Sequence, residues 1–311
     1  MKDKAIIFGV GNQYKRYRNL LHVRFEIIAY IDNFAKEIDG INIISISEAS
    51  HLDFDKIIIT PFCWHEMLKQ CLDNGIGKDQ IMILDLLPEI YQKNVCGVRS
   101  FGQHYEDLII MGIFGQIGIE KPTYLDLGCN HPFRCSNTAL MYLGGAKGVN
   151  IDANKVSAEA FQLTRTKNTL NLNCGVAPDS GVLSFYMQNE DSGLNTFSYD
   201  QVKHAQKKYN AEFNRIESVE CKSLQDIIED HCEGVFPDFF DCDIEGLDYD
   251  VIKSYDMTSK GPKVVCVEVR SDKMQQFDNL MFSYEYFKFC RMGVNNIYVR
   301  NEYKELLTCC N

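Results

Sequence analysis

Short apolar runs alternate with helix-like segments along almost the whole chain, and this alternation constrains the fold more than any other feature. Near the start, four runs are predicted to be strands: AIIFGV (5–10), FEIIAYID (25–32), KIIIT (56–60) and IMIL (81–84). Helices are predicted between them, over 13–21 and 64–74. Continuous apolar strands separated by helices are typical of a parallel sheet covered on both faces. The sequence therefore predicts an α/β protein that begins with a small Rossmann-like domain, residues 1–88.

The alternation begins again at Tyr124 and continues nearly to the end of the chain. The predicted strands are YLDLG, AKGVNID, NLNCGVA, GVLSFYM, DFFDCDIEG, KVVCVEV and NNIYVRN, of which GVLSFYM could instead form an edge hairpin. A connector, 89–118, precedes this second domain, 119–311, and contains an amphipathic helix with Leu108, Ile109, Gly112 and Ile113 on its apolar face. The polar stretch 189–218 is predicted to be an insertion that covers or shapes an active site. At 311 residues, two parallel-sheet domains are expected rather than one.

Composition excludes several classes of protein. The net charge is −11 and no basic block is present, which argues against a nucleic acid or an anionic membrane as partner. The N-terminal apolar run spans only residues 5–10, too short for a signal sequence or a membrane span, so a cytoplasmic protein is expected. The thirteen cysteines show no CxxC pair or zinc-finger spacing and are interpreted as free thiols, with Cys309 and Cys310 expected to be exposed.

The first turn of the second domain, DLGCNHPF (126–133), carries the most informative motif. Gly128 would let a ligand approach the backbone closely, between the polar side chains of Asp126 and Asn130. The next strand ends on Asp152, where an acid can accept hydrogen bonds from two ribose hydroxyls. A pyrophosphate usually requires more glycine than this turn contains. The spacing favours a methyltransferase over a dinucleotide enzyme and leaves both open.

Residues from about 100 to 299 resemble the FkbM family of methyltransferases. The resemblance rests on six segments in the right order: SFGQHYED (100–107), YLDLGCNHPFRCSNTALMY (124–142), GVNIDAN (148–154), LNTFS (194–198), DFFDCDIEGLDYDVIKS (238–254) and KVVCVEV (263–269). It implies a seven-stranded methyltransferase sheet, S-adenosylmethionine as cofactor, and methylation of a hydroxyl on a sugar or a polyketide-type product. We expect an acceptor that is a sugar of a glycan or of a glycosylated metabolite. A homodimer is possible.

The resemblance also implies roles for individual residues. Asp126, Gly128 and Asn130 would line the methionine end of the cofactor, and Asp152 would hold its ribose. Three residues of the preceding helix would close over the amino-acid end: Gln103, Glu106 and Asp107. The chain departs from the family pattern at Cys129, where alanine is usual, at His131-Pro132, which replaces a second glycine, and at Asp152, which replaces a frequent glutamate.

Three acids are candidates for the chemistry, because an alcohol acceptor must lose its proton to a base or to a metal-assisted step. Asp243 and Glu245 lie two residues apart at a strand end, and Glu268 ends the neighbouring strand. They could act as general base, bind a divalent cation through oxygen, or anchor loops or the cofactor's ammonium group. His131 is a further candidate base and could equally cap the helix that is predicted to begin near Ser136, for which Ser136 and Asn137 are the expected N-cap residues.

The N-terminal segments GVGNQ (9–13) and YIDN (30–33) resemble the start of a nucleotide-binding fold, with Asp32 at the end of the second strand. One incomplete glycine motif is weak evidence. We favour a degenerate or regulatory domain that supports dimerisation or substrate capture, with nucleotide or nucleotide-sugar binding as the alternative. The alternatives for the whole chain are an N-methyltransferase acting on an amine, and a nucleotide-sugar oxidoreductase or epimerase centred on this N-terminal site.

Overall fold

A computed structural model describes residues 2–190 and 192–308. The chain divides into two compact units, Met1–Ile90 and Tyr91–Asn311. Within the described ranges, no helix is long and apolar enough to cross a membrane. The expected exposure of Cys309 and Cys310 concerns residues outside those ranges.

The first unit is built on a four-stranded parallel sheet. Its strands and helices are β1 (Asp3–Phe8), α1 (Asn12–Arg24), β2 (Phe25–Ile31), β3 (Glu37–Ile38), β4 (Ile41–Asn42), α2 (Ile46–Ala49), β5 (Lys56–Ile59), α3 (His65–Asp73), β6 (Ile81–Ile83) and α4 (Pro88–Tyr91). The sheet order is β2-β1-β5-β6, and all three pairings are parallel. The predicted parallel sheet is therefore confirmed, whereas the small β3–β4 hairpin was not predicted.

The second unit contains the remaining elements. Its first half comprises β7 (Lys93–Val95), β8 (Val98–Ser100), α5 (Glu106–Gln116), β9 (Tyr124–Leu127), α6 (Ala139–Leu143), β10 (Gly148–Asp152), α7 (Lys155–Thr164), β11 (Thr169–Asn173), β12 (Gly175–Val176) and β13 (Gly181–Met187). Its second half comprises α8 (Tyr199–Tyr209), β14 (Arg215–Lys222), α9 (Leu224–His231), β15 (Phe239–Cys242), α10 (Asp248–Lys253), β16 (Val264–Glu268), α11 (Met274–Ser283), β17 (Tyr286–Met292), β18 (Asn295–Arg300) and α12 (Lys304–Thr308).

Seven strands of this unit form one sheet in the order β11-β10-β9-β15-β16-β18-β17. The pairings from β11 to β16 are parallel, and β18 runs antiparallel to both of its neighbours. Every residue of the central strands β9 and β15 is buried, because the sheet is covered on both faces. Leu125 and Phe240 pack into one apolar cluster, whereas Tyr124 and Phe239 pack into another. The predicted seven-stranded methyltransferase sheet is confirmed.

The structure refines three local predictions. The strand predicted at GVLSFYM is present as β13, and it pairs antiparallel with β14 in a small sheet of order β12-β14-β13 outside the main sheet. Helix α5 buries Ile110, Ile113 and Phe114, so only Ile113 of the predicted apolar face is fully buried. The predicted insertion 189–218 contains all of α8 and the start of β14.

Candidate functional site

A cavity of about 460 Å³ opens at the carboxyl edge of the seven-stranded sheet. Four strand ends contribute to its wall, those of β9, β10, β15 and β16, together with the segment 192–197 that precedes α8. In parallel α/β sheets, ligands bind outside the carboxyl ends of the strands. The cavity has the size of a small-molecule site and is the candidate active site.

The turn after β9 brings two loops of this edge into contact. Gly128 adopts φ +74, and a Cβ built at this position would lie 1.8 Å from the Asp243 carbonyl oxygen. Its amide donates to Ile151 O at 2.9 Å, which ties the turn to β10. Only glycine combines this φ with such a close approach of the neighbouring backbone. The single glycine of the motif therefore sets the distance between the turn and Asp243.

Asp152 ends β10 at the cavity wall, 9% exposed. Its Oδ2 accepts the Asn130 amide at 2.8 Å, and its Oδ1 accepts the Asn154 amide at 2.7 Å. Burial raises the pKa of Asp152 to about 6, although these two amides act in the opposite direction. The amides fix the orientation of the carboxylate, and Asn130 takes part through its backbone, at φ +50.

Asp126 and Asp241 are direct partners in the β9–β15 ladder and both line the cavity. Thr138 Oγ1 donates to Asp126 at 2.5 Å, and Asn137 Nδ2 donates to Asp241 at 3.3 Å. Burial is the main cause that raises the pKa of both carboxyls, and for Asp241 the charge of Asp126 adds to it. The guanidinium of Arg165 opposes the rise at Asp126. Two buried acids therefore face the cavity side by side at the centre of the sheet.

Arg165, at the C-terminal end of α7, is fully buried, and the sequence predicted no role for it in the site. Its guanidinium donates to acceptors of β9, β10 and the turn between β9 and α6: Tyr124 OH, Pro132 O, Ser136 Oγ, Thr138 Oγ1 and Asn150 Oδ1. Its central carbon lies 4.7 Å from the centre of the Phe161 ring. A buried arginine requires several acceptors of this kind, and at Arg165 only Nε lacks one among the described residues. Arg165 thus holds the turn against the sheet.

Asp243, Glu245 and Glu268 form a cluster, referred to below as the acid cluster, whose carboxylate oxygens lie within 4.8 Å of one another. The Asp243 side chain reaches solvent through the cavity, and protein surrounds it on its other sides. The pKa of Asp243 lies well above the usual range, because this surrounding protein removes water and because the charges of Glu268 and Glu245 are close. Burial and then the charge of Glu268 raise the pKa of Glu245 to about 8. Three carboxylates so close together favour a bound proton or cation. Their oxygens would also suit a divalent cation, which prefers carboxylate ligands.

Residues of α8 and the segment before it hold Glu245 in place. Glu245 adopts φ +55 and its side chain is half-buried. Gln201 Nε2 donates to Glu245 Oε2 at 2.8 Å, and Thr196 Oγ1 donates to the Glu245 carbonyl at 2.5 Å. From the other side, Asp248 accepts the amides of Ile244 and Gly246, each at 2.9 Å. The insertion therefore shapes the cavity, as the sequence suggested, but does so with an ordered helix.

The three residues predicted to close over the cofactor are not all at the cavity. Gln103 lines it. Glu106 is fully buried and accepts the His104 amide at 2.7 Å and Asn295 Nδ2 at 2.9 Å, and Asn295 in turn lines the cavity. Asp107 is also buried and accepts Ser100 Oγ and the Phe101 amide at 2.7 and 2.6 Å. Asp107 therefore braces the start of α5.

The structure also places His131 away from the predicted role. The ring is buried and its Nδ1 accepts the amides of Phe133 and Arg134 at 3.1 and 2.8 Å. It is absent from the described residues that line the cavity. Ser136 and Asn137 are not N-cap residues, because α6 begins only at Ala139. His131 supports the turn and is not placed to act as a base.

Several cavity residues carried no clear signal in the sequence. They include an arginine, a serine and an asparagine of the wall, and aromatic side chains from β13, from the segment before α8 and from the end of α8: Arg134, Ser157, Asn154, Phe185, Phe197 and Tyr209. Residue types such as these occur at many loop positions, so only the fold brings them together.

In the first unit, Asp32 directly follows β2, close to its predicted place, but backbone amides already occupy its carboxylate. Oδ2 accepts the Val10 amide at 2.8 Å, and Oδ1 accepts the amides of Phe34 and Ala35, both at 2.9 Å. Burial would raise its pKa, but these three hydrogen bonds outweigh burial and lower it. Gly9 adopts φ +97, and the space a Cβ would need there is filled by the Pro61 ring. Asp32 therefore closes its own turn and has little capacity left for a ribose.

Two family models match the chain. The model of the methyltransferase FkbM domain matches residues 126–293, more than half of the chain and all of the cavity strands from β10 to β16. The C2185-like N-terminal model matches residues 1–82. No match was found among curated proteins. The chain belongs to the FkbM methyltransferase family, and this protein is a methyltransferase.

Proposed function

We propose that this methyltransferase binds S-adenosylmethionine in the cavity and transfers its methyl group to a hydroxyl of a sugar, in a glycan or a glycosylated metabolite. The proposal rests on one observation: the same cavity is lined by Asp152 and by the acid cluster. Asp152 ends β10 and is fixed by two backbone amides, whereas the acid cluster lies at the ends of β15 and β16. One side can hold a nucleoside, and the other can take a proton from an acceptor.

On the cofactor side, Asp152 would accept hydrogen bonds from the two ribose hydroxyls. Its carboxylate oxygens each have one backbone amide and retain further acceptor capacity. Gly128 lets the turn pack directly against the Asp243 backbone, and both residues line the cavity in which the methionine chain would lie. Gln103 lies at the same cavity and could contact the amino-acid end.

On the acceptor side, the hydroxyl oxygen attacks the methyl carbon in line with the departing sulfur. The carbon–sulfur bond breaks, its electron pair returns to sulfur, and the hydroxyl proton passes to a carboxylate of the acid cluster. Glu245 has a pKa of about 8, near the range in which a general base is most effective. A divalent cation held by Asp243, Glu245 and Glu268 would instead supply its charge to lower the pKa of the hydroxyl.

Tyr209 supports a sugar as acceptor. It lies at the C-terminal end of α8, lines the cavity and is 55% exposed. An exposed aromatic ring offers an apolar face to the C–H groups of a sugar, and its hydroxyl offers a polar edge. Methyl transfer from labelled cofactor to free sugars, nucleotide-sugars and glycan fragments would identify the acceptor class.

Titration calorimetry with S-adenosylmethionine tests the proposal. We expect the wild type to bind, Asp152→Ala to lose binding, and Asp243→Asn to bind normally but lose turnover. Asp179→Ala is the matched control, because Asp179 is exposed and outside the cavity lining. No binding by the folded wild type at millimolar cofactor would refute the proposal, and equal loss of binding in both cavity variants would refute the division of roles.

The same variants test the two alternatives. Retained turnover in Asp243→Asn would favour N-methylation, since a neutral amine needs little help from a base. A change in the fluorescence of reduced nicotinamide on protein addition would favour the oxidoreductase centred on the first unit. The three backbone amides on Asp32 argue against that alternative.

A further inference from the structure

The charged side chains that line the cavity are very unequal in sign. Among the described residues, six acids line it: Asp126, Asp152, Asp241, Asp243, Glu245 and Glu268. In the part of the chain that the structure describes, Arg134 is the single basic side chain of the same wall. An acidic cavity concentrates cationic ligands and repels anionic groups. Any anionic group of a ligand bound here can therefore find only one side chain of opposite charge.

Arg134 lies on the turn between β9 and α6 and is half-buried. Its backbone amide donates to His131 Nδ1, but no hydrogen bond or ion pair of its guanidinium occurs in the part of the chain that the structure describes. Arg165 differs from it, since five acceptors surround that guanidinium. Arginine binds carboxylates in a planar, two-pronged geometry. Arg134 is therefore available to a carboxylate.

Asn137, three residues further along the turn, provides a second and independent observation. It lines the cavity and is 8% exposed. Its Nδ2 donates to Asp241 at 3.3 Å, whereas its Oδ1 is buried without a partner among the described residues. A buried acceptor without a donor is costly and points to a missing donor. Asn137 Oδ1 and the Asp241 carboxylate together offer acceptors to an ammonium group.

We propose that this turn is a receptor for an amino-acid group, with Arg134 binding the α-carboxylate of the cofactor and Asn137 and Asp241 accepting from its α-ammonium. The inference rests on the proposed use of S-adenosylmethionine. It adds Arg134 and Asn137 to the cofactor site. It also pairs Arg134, the single basic side chain among the described residues of the cavity, with the α-carboxylate, the anionic group of that cofactor.

The test compares S-adenosylmethionine with decarboxylated S-adenosylmethionine, which keeps the amine and lacks the carboxylate. Calorimetry on the full chain would use wild type, Arg134→Gln, Asn137→Ala and the control Arg99→Gln, an exposed arginine of β8 outside the cavity lining. Arg134→Gln should weaken S-adenosylmethionine binding by about tenfold to a hundredfold and leave the decarboxylated compound unaffected. Asn137→Ala should weaken both compounds. Arg99→Gln should weaken neither.

Each other outcome counts against the inference. Unchanged S-adenosylmethionine binding in Arg134→Gln would overturn the inference. If that variant instead raised KM for the acceptor, Arg134 would bind an anionic group of the acceptor and not the carboxylate of the cofactor. Equal losses for both compounds in an Arg134→Gln variant that melts at the wild-type temperature would overturn the inference as well, because the lost contact would then not be to the carboxylate. A wild type that fails to bind S-adenosylmethionine would refute the proposed function itself, which distinguishes that failure from a failure at Arg134.

Discussion

Replacing Gly128 by alanine should damage both the stability of the second unit and the geometry of the acid cluster. The new Cβ would lie 1.8 Å from Asp243 O, whereas real Cβ contacts shorter than 3.0 Å are essentially absent, so the two backbones must separate by about 1.2 Å. The φ of +74 adds about 1–2 kcal/mol of strain for a residue with a side chain. Overpacking adds about 1–3 kcal/mol. The total is about 2–5 kcal/mol.

Gly118→Ala is the matched control, because Gly118 has φ +78 but no atom within 4 Å of its built Cβ. It carries the strain without the clash. The difference between the two variants should thus be about 1–3 kcal/mol, which for a unit of this size is about 2–12 °C in the midpoint of thermal unfolding. Displacing Asp243 by about 1 Å should also lower turnover by about a hundredfold, an effect Gly118→Ala should not show.

Scanning calorimetry and a methyl-transfer assay on the three proteins provide the measurements. If Gly128→Ala melts at the same temperature as Gly118→Ala, the close approach of the two loops is wrong. If it is destabilised as expected but turns over at the wild-type rate, the position of Asp243 does not depend on this contact.

Three further predictions concern single side chains. Gln201→Leu should lower turnover by about tenfold without changing cofactor affinity, because Glu245 loses the donor that orients it. Gln206 is exposed on the same helix, and Gln206→Leu should leave turnover unchanged. Asp107→Asn should lower the free energy of unfolding by about 1–3 kcal/mol in a denaturant titration, because either Ser100 Oγ or Phe101 N loses its acceptor. Weaker cofactor binding without a loss of stability would contradict this structural role of Asp107. Cofactor affinity should fall as pH drops below about 6, because Asp152 then takes up a proton and loses acceptor capacity, and Asp152→Asn should abolish this pH dependence. In the ligand-free protein, stability should depend on pH in the opposite direction. Burial raises the pKa of Asp152 from 3.8 to about 6, so between these values the native state binds more protons than the unfolded state. The free energy of unfolding contributed by Asp152 therefore falls as pH rises from about 4 to about 6.

The sequence predicted the two sheets well because their strands are buried on both faces. KIII and VVCVE read as continuous apolar runs, and the structure places them at β5 and β16. It missed α8, whose sequence YDQVKHAQKKY buries only Val202 and Ala205. Two small apolar residues in three turns leave no clear period, so the helix looked like a polar loop.

The cavity was predictable where a motif ties a residue type to a strand end. Asp126, Asp152, Asp243 and Glu245 all line it, each at or just after the carboxyl end of its strand. The helix before the sheet was less predictable, because acids at a helix start can face either a ligand or their own loop. Glu106 and Asp107 accept protein N–H and O–H donors instead of lining the cavity.

Arg134 and Arg165 show most clearly what the sequence lacks. Both are single arginines in polar surroundings, yet one is buried among five acceptors of the sheet and turn, and the other faces the cavity without a partner among the described residues. The difference follows from where α7 ends: Arg165, the residue after its last turn, lies behind the turn that carries Arg134. By occupying Pro132 O and Ser136 Oγ, Arg165 fixes the backbone on both sides of Arg134. A rigid turn lowers the entropy cost of binding a ligand, so the buried Arg165 can increase the affinity of Arg134 for the ligand without touching it.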